Sequence, residues 1–331
     1  MLWLTWRQFR PHAVSVFGLA AVFAAVFAAT GPSLDELANV LDDLGPFQRQ
    51  LYLVGMVAVY VVPGVTGVFW GAPLITRELE AGTHRLVWNQ TVGRTRWLVV
   101  KLGVLGLAAM AAAGAFSLAV TWWAAPIDAA AALAADGEFA SRVDPLVFSA
   151  RGVAPIGYAA FGFTLGVAVG ALLRRTVAAM AVTSAVYIAV MMATPDLLRA
   201  HVIAPVQETV TITPTNLVQI RADRDGTVLD IGVAAPAGSW LLANQTVDAT
   251  GAATAPPAQL SGCIPPPGPE RAPDARLERC FADITAQGYR QVLTYQPVTR
   301  FWPLQWIETG VFLVLSALLT WLAVARVRRL S

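Results

Sequence analysis

Few side chains in this 331-residue sequence could carry chemistry. They are three histidines (His12, His84, His201), two cysteines (Cys263, Cys280), one lysine (Lys101) and one carboxylate, Glu308, set inside an apolar run. Zinc-dependent hydrolysis would need His-Glu-x-x-His on one helix, and the sequence has none. Two cysteines are too few for a four-thiolate metal site. A phosphate-cradling loop would read Gly-x-x-x-x-Gly-Lys-[Ser/Thr], but Lys101 follows Val100. Ion-driven carriers place carboxylates or histidines near the bilayer midplane, where the coupling ion must bind and leave. The apolar runs here are nearly free of ionisable groups, so active transport would draw its energy from another polypeptide.

The stretch Thr76–Trp97 holds the densest polar pattern between apolar runs: Thr76-Arg77-Glu78-Leu79-Glu80-Ala81-Gly82-Thr83-His84-Arg85, then Arg94, Arg96 and Trp97. Gly82 permits a sharp turn, and Thr83 suits a helix N-cap. His84–Gln90 reads as a short helix along the membrane. Two uses fit the residues. The arginines, Trp88 and Trp97 could anchor the segment at lipid headgroups, or the segment could receive a partner.

Composition says what must position these groups. Hydrophobic residues form 56% of the chain and charged residues 13%, with mean hydropathy +0.58. So few charges cannot cover a water-soluble surface. A spanning helix takes about 20 apolar residues. Six runs qualify: Ala13–Thr30, Leu51–Ile75, Leu102–Ala125, Gly152–Leu173, Thr176–Thr194 and Leu304–Ala325. The first is long for a signal peptide and lacks a clear cleavage site. Leu2, Trp3, Trp6 and Phe9 fall near one face of residues 1–12, which reads as an interfacial amphipathic helix. Twelve basic residues fall in one set of short segments against three in the other, which places both termini in the cytoplasm.

Residues 195–303 then read as a small extracytoplasmic domain of mixed α/β type. Leu217–Ala222 and Thr227–Val233 flank an Asp223-Arg224-Asp225-Gly226 turn, a hairpin signature. Asp274 could cap a helix presenting Leu277, Phe281 and Ile284, ended by Gly288. Both cysteines lie here, and an oxidising exterior favours a Cys263–Cys280 disulfide. In the fourth run Gly162, Gly166 and Gly170 recur every four residues, a stripe that permits close helix contact within the subunit or at a dimer interface. Gly64, Gly67 and Gly71 beside Pro63 predict a bent second span. Glu308 either pairs with Arg300 near the membrane surface or serves gating or substrate contact. Trp302 and Trp306 read as belt residues, and Asn244-Gln245-Thr246 as a chance glycosylation match.

The run Gly71–Thr83 followed by Arg94-Thr95-Arg96-Trp97-Leu98 and Lys101 resembles the second span and coupling segment of ABC exporter permeases of the type-2 superfamily, in its actinobacterial form. Trp6-Arg7-Gln8-Phe9-Arg10, Gly162–Gly166 with Arg174-Arg175, and Gln296–Trp302 with Glu308 match other parts of that family in order. Nothing in Ala204–Leu293 does. The resemblance implies an all-α six-span subunit in a bacterial plasma membrane. It would dimerise with a second copy and sit on a cytoplasmic ABC ATPase that binds ATP and magnesium. The chain itself would hold no cofactor, bind no nucleic acid and be no enzyme. Arg77, Glu78, Glu80, Gly82, Thr83 and Arg85 would carry the coupling to that ATPase. The cargo implied is a hydrophobic or amphipathic solute such as a drug, antibiotic or lipid. The competing reading is a membrane-anchored sensor whose extracytoplasmic domain captures a ligand or partner.

Overall fold

A helix that is apolar on every side belongs in the middle of a bundle, and Ala154–Leu173 is such a helix, rich in glycine and alanine. The computed structural model describes residues 2–35, 40–80, 94–133, 139–223, 225, 227–260 and 275–329. Among them six helices are long and apolar enough to cross a membrane. They are Ala13–Leu34 (span 1), Pro46–Glu78 (span 2), Arg96–Trp123 (span 3), Ala154–Leu173 (span 4), Thr176–Arg199 (span 5) and Val298–Arg328 (span 6). Span 4 is buried almost throughout and packs against spans 2, 3, 5 and 6. Spans 1, 5 and 6 turn most of their surface outward, including Val177, Met192, Trp306 and Trp321.

Several spans differ in extent from the sequence reading; spans 3 and 6 begin at Arg96 and Val298, ahead of the expected Leu102 and Leu304. Leu2–Thr30 is one continuous helix, so the expected interfacial helix runs into span 1 without a break. Span 2 begins at Pro46, and its helical path continues to Glu80. Pro63 cannot donate a backbone hydrogen bond, and the bend expected beside it is a π-helical turn at Thr66–Gly71. There the Ala72 N–H donates to the Gly67 carbonyl at 3.0 Å. Such turns are frequent at functional sites. Span 5 also passes its expected end at Thr194, because a second π turn, Pro195–Arg199, absorbs the proline.

After span 5 comes a strand-bearing unit. Strands β1 (Val206–Val210), β2 (Leu217–Ala222), β3 (Val228–Val233), β4 (Trp240–Val247) and β5 (Arg290–Gln296) form two antiparallel sheets. One has the order β1-β5-β4, and the other is the expected β2-β3 hairpin. The helix Ala275–Ala286 seals the core with Phe281 and Ile284 against Ile231, Val233 and Leu293. Gly288 follows at φ 89°, the left-handed conformation a helix end needs. Leu277's side chain, Asp274, Arg224 and Gly226 lie outside the described set. Asn244 and Thr246 sit within β4, where Thr246 is buried. The buried Gln296 donates to the carbonyls of Ala200 and Ile203, joining this unit to the end of span 5.

Candidate functional site

Two clusters of polar side chains stand at opposite ends of the bundle. At the first, span 2 ends in Arg77 and Glu78, and its helix runs on past the span to Glu80. Arg77 is exposed. Glu78 Oε1 accepts from Lys101 Nζ at 2.6 Å, and that ammonium also lies 4.4 Å from the centre of the Trp97 ring. The lysine is 93% buried, so its charge needs this carboxylate. Glu80 reaches the other way. Its carboxylate accepts from the Thr176 N–H at 2.9 Å and from Thr176 Oγ1 at 2.6 Å. Thr176 opens span 5, so Glu80 satisfies a free donor at the positive end of that helix. Span 2 is thereby tied to span 3 by Glu78 and to span 5 by Glu80. Gly82, Thr83 and Arg85 lie outside the described residues.

The hydroxyl and backbone N–H of Thr176 hold the Glu80 carboxyl below the usual carboxylate range. A carboxyl lowered on folding stabilises the folded state above its unfolded pKa and loses that contribution as pH falls through the folded value. The tie is therefore expected to persist at neutral pH and fail only below the free carboxylate range of about 4.3. Thr176→Val removes one donor and should move the Glu80 titration up toward that value. Carbon-13 carboxylate NMR of the protein in micelles reads this directly. An unmoved titration would remove the tie.

Between the two ends lies the glycine seam. A Cβ on Gly162 would stand 2.8 Å from the Pro63 carbonyl oxygen, and one on Gly170 would stand 2.7 Å from that of Ala72. A Cβ on Gly166 would meet the Gly67 carbonyl oxygen more closely still. Span 4 therefore touches span 2 backbone to backbone, within one subunit and across the π turn.

At the far end, opposite Glu80, Glu308 is 2% exposed. Its partner is Arg199, not Arg300: Glu308 Oε1 accepts from Arg199 Nη2 at 2.9 Å and Oε2 from Nε at 3.0 Å. Arg300 instead donates to Gln296 and to the Ala204 carbonyl. The Tyr158 hydroxyl of span 4 donates a hydrogen bond to Glu308 Oε1. Arg199 is fully buried, donates to Ser149 Oγ at 2.8 Å and lies 3.9 Å over the Phe148 ring. A second buried pair joins Arg151 to Asp128 at 2.8 Å. Sequence reasoning misses Arg199 because Pro195 reads as a helix end although the helix continues; Asp128 and Tyr158 have their partners 23 and 150 residues away, which no local pattern marks. The available signal was the buried face through Thr183, Tyr187 and Thr194, which leads on to Arg199.

Among the described residues, no group of His, Cys, Asp or Glu stands ready to hold a metal ion. Residues 13–199 match the family model described as ABC-2 membrane transporter related. That range takes in spans 1–5 and ends where the strand-bearing unit begins. No curated protein and no solved structure matches the chain.

Proposed function

The chain belongs to the ABC-2 membrane transporter related family, and from that premise we propose that it is the membrane half of an ATP-driven exporter. A multi-pass permease of this family works with a separate ABC ATPase, which would hold the ATP and magnesium. We propose further that two copies assemble around the transport path and that the cargo is a hydrophobic or amphipathic solute. The excess of arginine in one set of short segments supports cytoplasmic termini and an extracytoplasmic strand-bearing unit.

One observation carries the mechanism: the last turn of span 2, where the segment 81–93 begins, is fastened by Glu78 to span 3 and by Glu80 to span 5. A push from the ATPase on that segment would reach three spans at once. Glu78 and Glu80 then act as transmitters inside the subunit, while Arg77 and the Gly82-Thr83-Arg85 turn meet the ATPase.

Affinity purification from native membranes should recover an ATPase near one to one. Glu78→Arg should leave insertion intact but lower ATP-driven export about ten-fold, a coupling loss near 1.4 kcal/mol. Glu78→Arg with Lys101→Glu should restore much of it, because the pair is rebuilt with its charges exchanged. Full export by the single variant would end the transmitter assignment.

The sensor reading draws on a groove of about 720 Å³ over the β1-β5-β4 sheet, lined in part by Gln207, Gln245, Asp248 and Arg290. A chain that purifies without an ATPase but holds an envelope protein or solute on this unit would favour it. Cys280 packs beside the core of the same unit, and its expected partner Cys263 lies outside the described residues. We propose that the two are joined. A thiol titration of the unfolded, unreduced chain should find no free thiol, and two would refute the bond.

A further inference from the structure

Connecting segments usually lie on the surface, but part of the link between spans 3 and 4 turns inward. Val143, Val147, Phe148 and Ala150 are buried at the far end of the bundle, while Leu146 between them is exposed. Side chains from three spans hold this segment, chiefly by its carbonyls. Tyr60 of span 2 donates to the Leu146 carbonyl at 2.7 Å. Gln305 of span 6 donates to the Phe148 carbonyl at 3.0 Å. Arg199 of span 5 donates to the Pro145 carbonyl at 3.2 Å and to Ser149.

The segment's two ends are held differently. At Arg151–Gly152 it is fixed: Arg151 pairs with Asp128, and Gly152 exchanges hydrogen bonds with Ser117 and Thr121 of span 3. Gly152 has φ 64°, a conformation that suits a hinge without a side chain. At the other end Ser141 donates to the Gly238 carbonyl of the strand-bearing unit.

The charges decide what release would involve. Glu308 and Tyr158 satisfy one another and Arg199 without the segment's help. Arg199 spends only its remaining donors on Pro145 and Ser149. The segment can therefore leave without stranding a buried charge. Resting on the permease reading, we propose that residues 139–150 are a removable plug over the far end of the transport path. Arg199 and Tyr60 are its latches and Arg151–Gly152 its hinge.

The test places a cysteine at the latch, Ser149→Cys, and follows its reaction with N-ethylmaleimide in open membrane fragments, where both faces are accessible. The parent chain's own labelling is subtracted. Position 149 should be protected. Adding Arg199→Gln should speed labelling about ten-fold and the milder Tyr60→Phe about three-fold, as local opening becomes easier. Thr246→Cys, buried in β4, should label at the same rate with either latch variant as without it. Two results overturn the plug: unchanged labelling at 149 in both latch variants, or an equal rise at 149 and 246, which is general loosening. The comparison needs no ATPase, so its failure would leave the permease reading standing.

Discussion

Gly166→Ala is expected to destabilise the protein strongly, although it adds one methyl group. The added carbon would press on the Gly67 carbonyl oxygen and stand 2.7 Å from the Ala72 amide nitrogen. Both are backbone atoms of span 2 and cannot turn aside as a flexible side chain would. Overpacking a tight site costs about 1–3 kcal/mol; this substitution belongs at the top of that range and Gly166→Val beyond it. Helix association in lipid depends on such close contact rather than on burial from water, so little else would hold spans 2 and 4 in register. Gly103 and Gly310 have no atom within 4 Å of a built Cβ. Alanine there should be neutral or stabilising, since glycine costs a helix about 1 kcal/mol. Thermal loss of the monodisperse peak in detergent would rank the three. Equal behaviour of all three would refute the seam.

Glu308→Ala is the second large effect. It leaves the Arg199 guanidinium, 0% exposed in its side chain, with Tyr158, Ser149 and a carbonyl but no counter-charge. Breaking a buried pair from one side costs about 3–5 kcal/mol, whereas replacing both partners by apolar groups of like volume is often neutral. Arg199→Met with Glu308→Leu should therefore recover most of what Glu308→Ala loses. Denaturation of the parent, Glu308→Ala and the double variant in micelles measures the difference. A loss under about 1 kcal/mol from Glu308→Ala would mean that the far end is wet and the pair ordinary.

The membrane architecture was legible because apolar length is a strong signal and six runs stood clear of one another. The stripe Gly162–Gly166–Gly170 was visible too, although spacing alone could not say that its partner is span 2. Glu78 and Glu80 stand out in the sequence as a polar pair, but not the fact that they reach Lys101 and Thr176. Those partners lie 23 and 96 residues away, and no local pattern encodes a contact at such range. Strands β1, β4 and β5 were missed for a related reason. β1 and β4 alternate weakly; β5 does alternate, but the face it buries includes the polar Gln291 beside Leu293 and Tyr295, which a hydrophobic pattern does not show. Arg199 was hidden by Pro195, which marks a helix end in most sequences but here sits in a π turn.

The pairing of Arg199 with Glu308 also sets an order of events during synthesis. The two residues are 109 positions apart, and the chain grows at about 5–20 residues per second. For roughly 5–20 s after span 5 is made, its arginine lacks the carboxylate it will pair with, while the whole strand-bearing unit is still being translated. Burying a lone charge is costly, so the far end of span 5 is expected to stay hydrated through that interval, and the pair can close only when span 6 arrives.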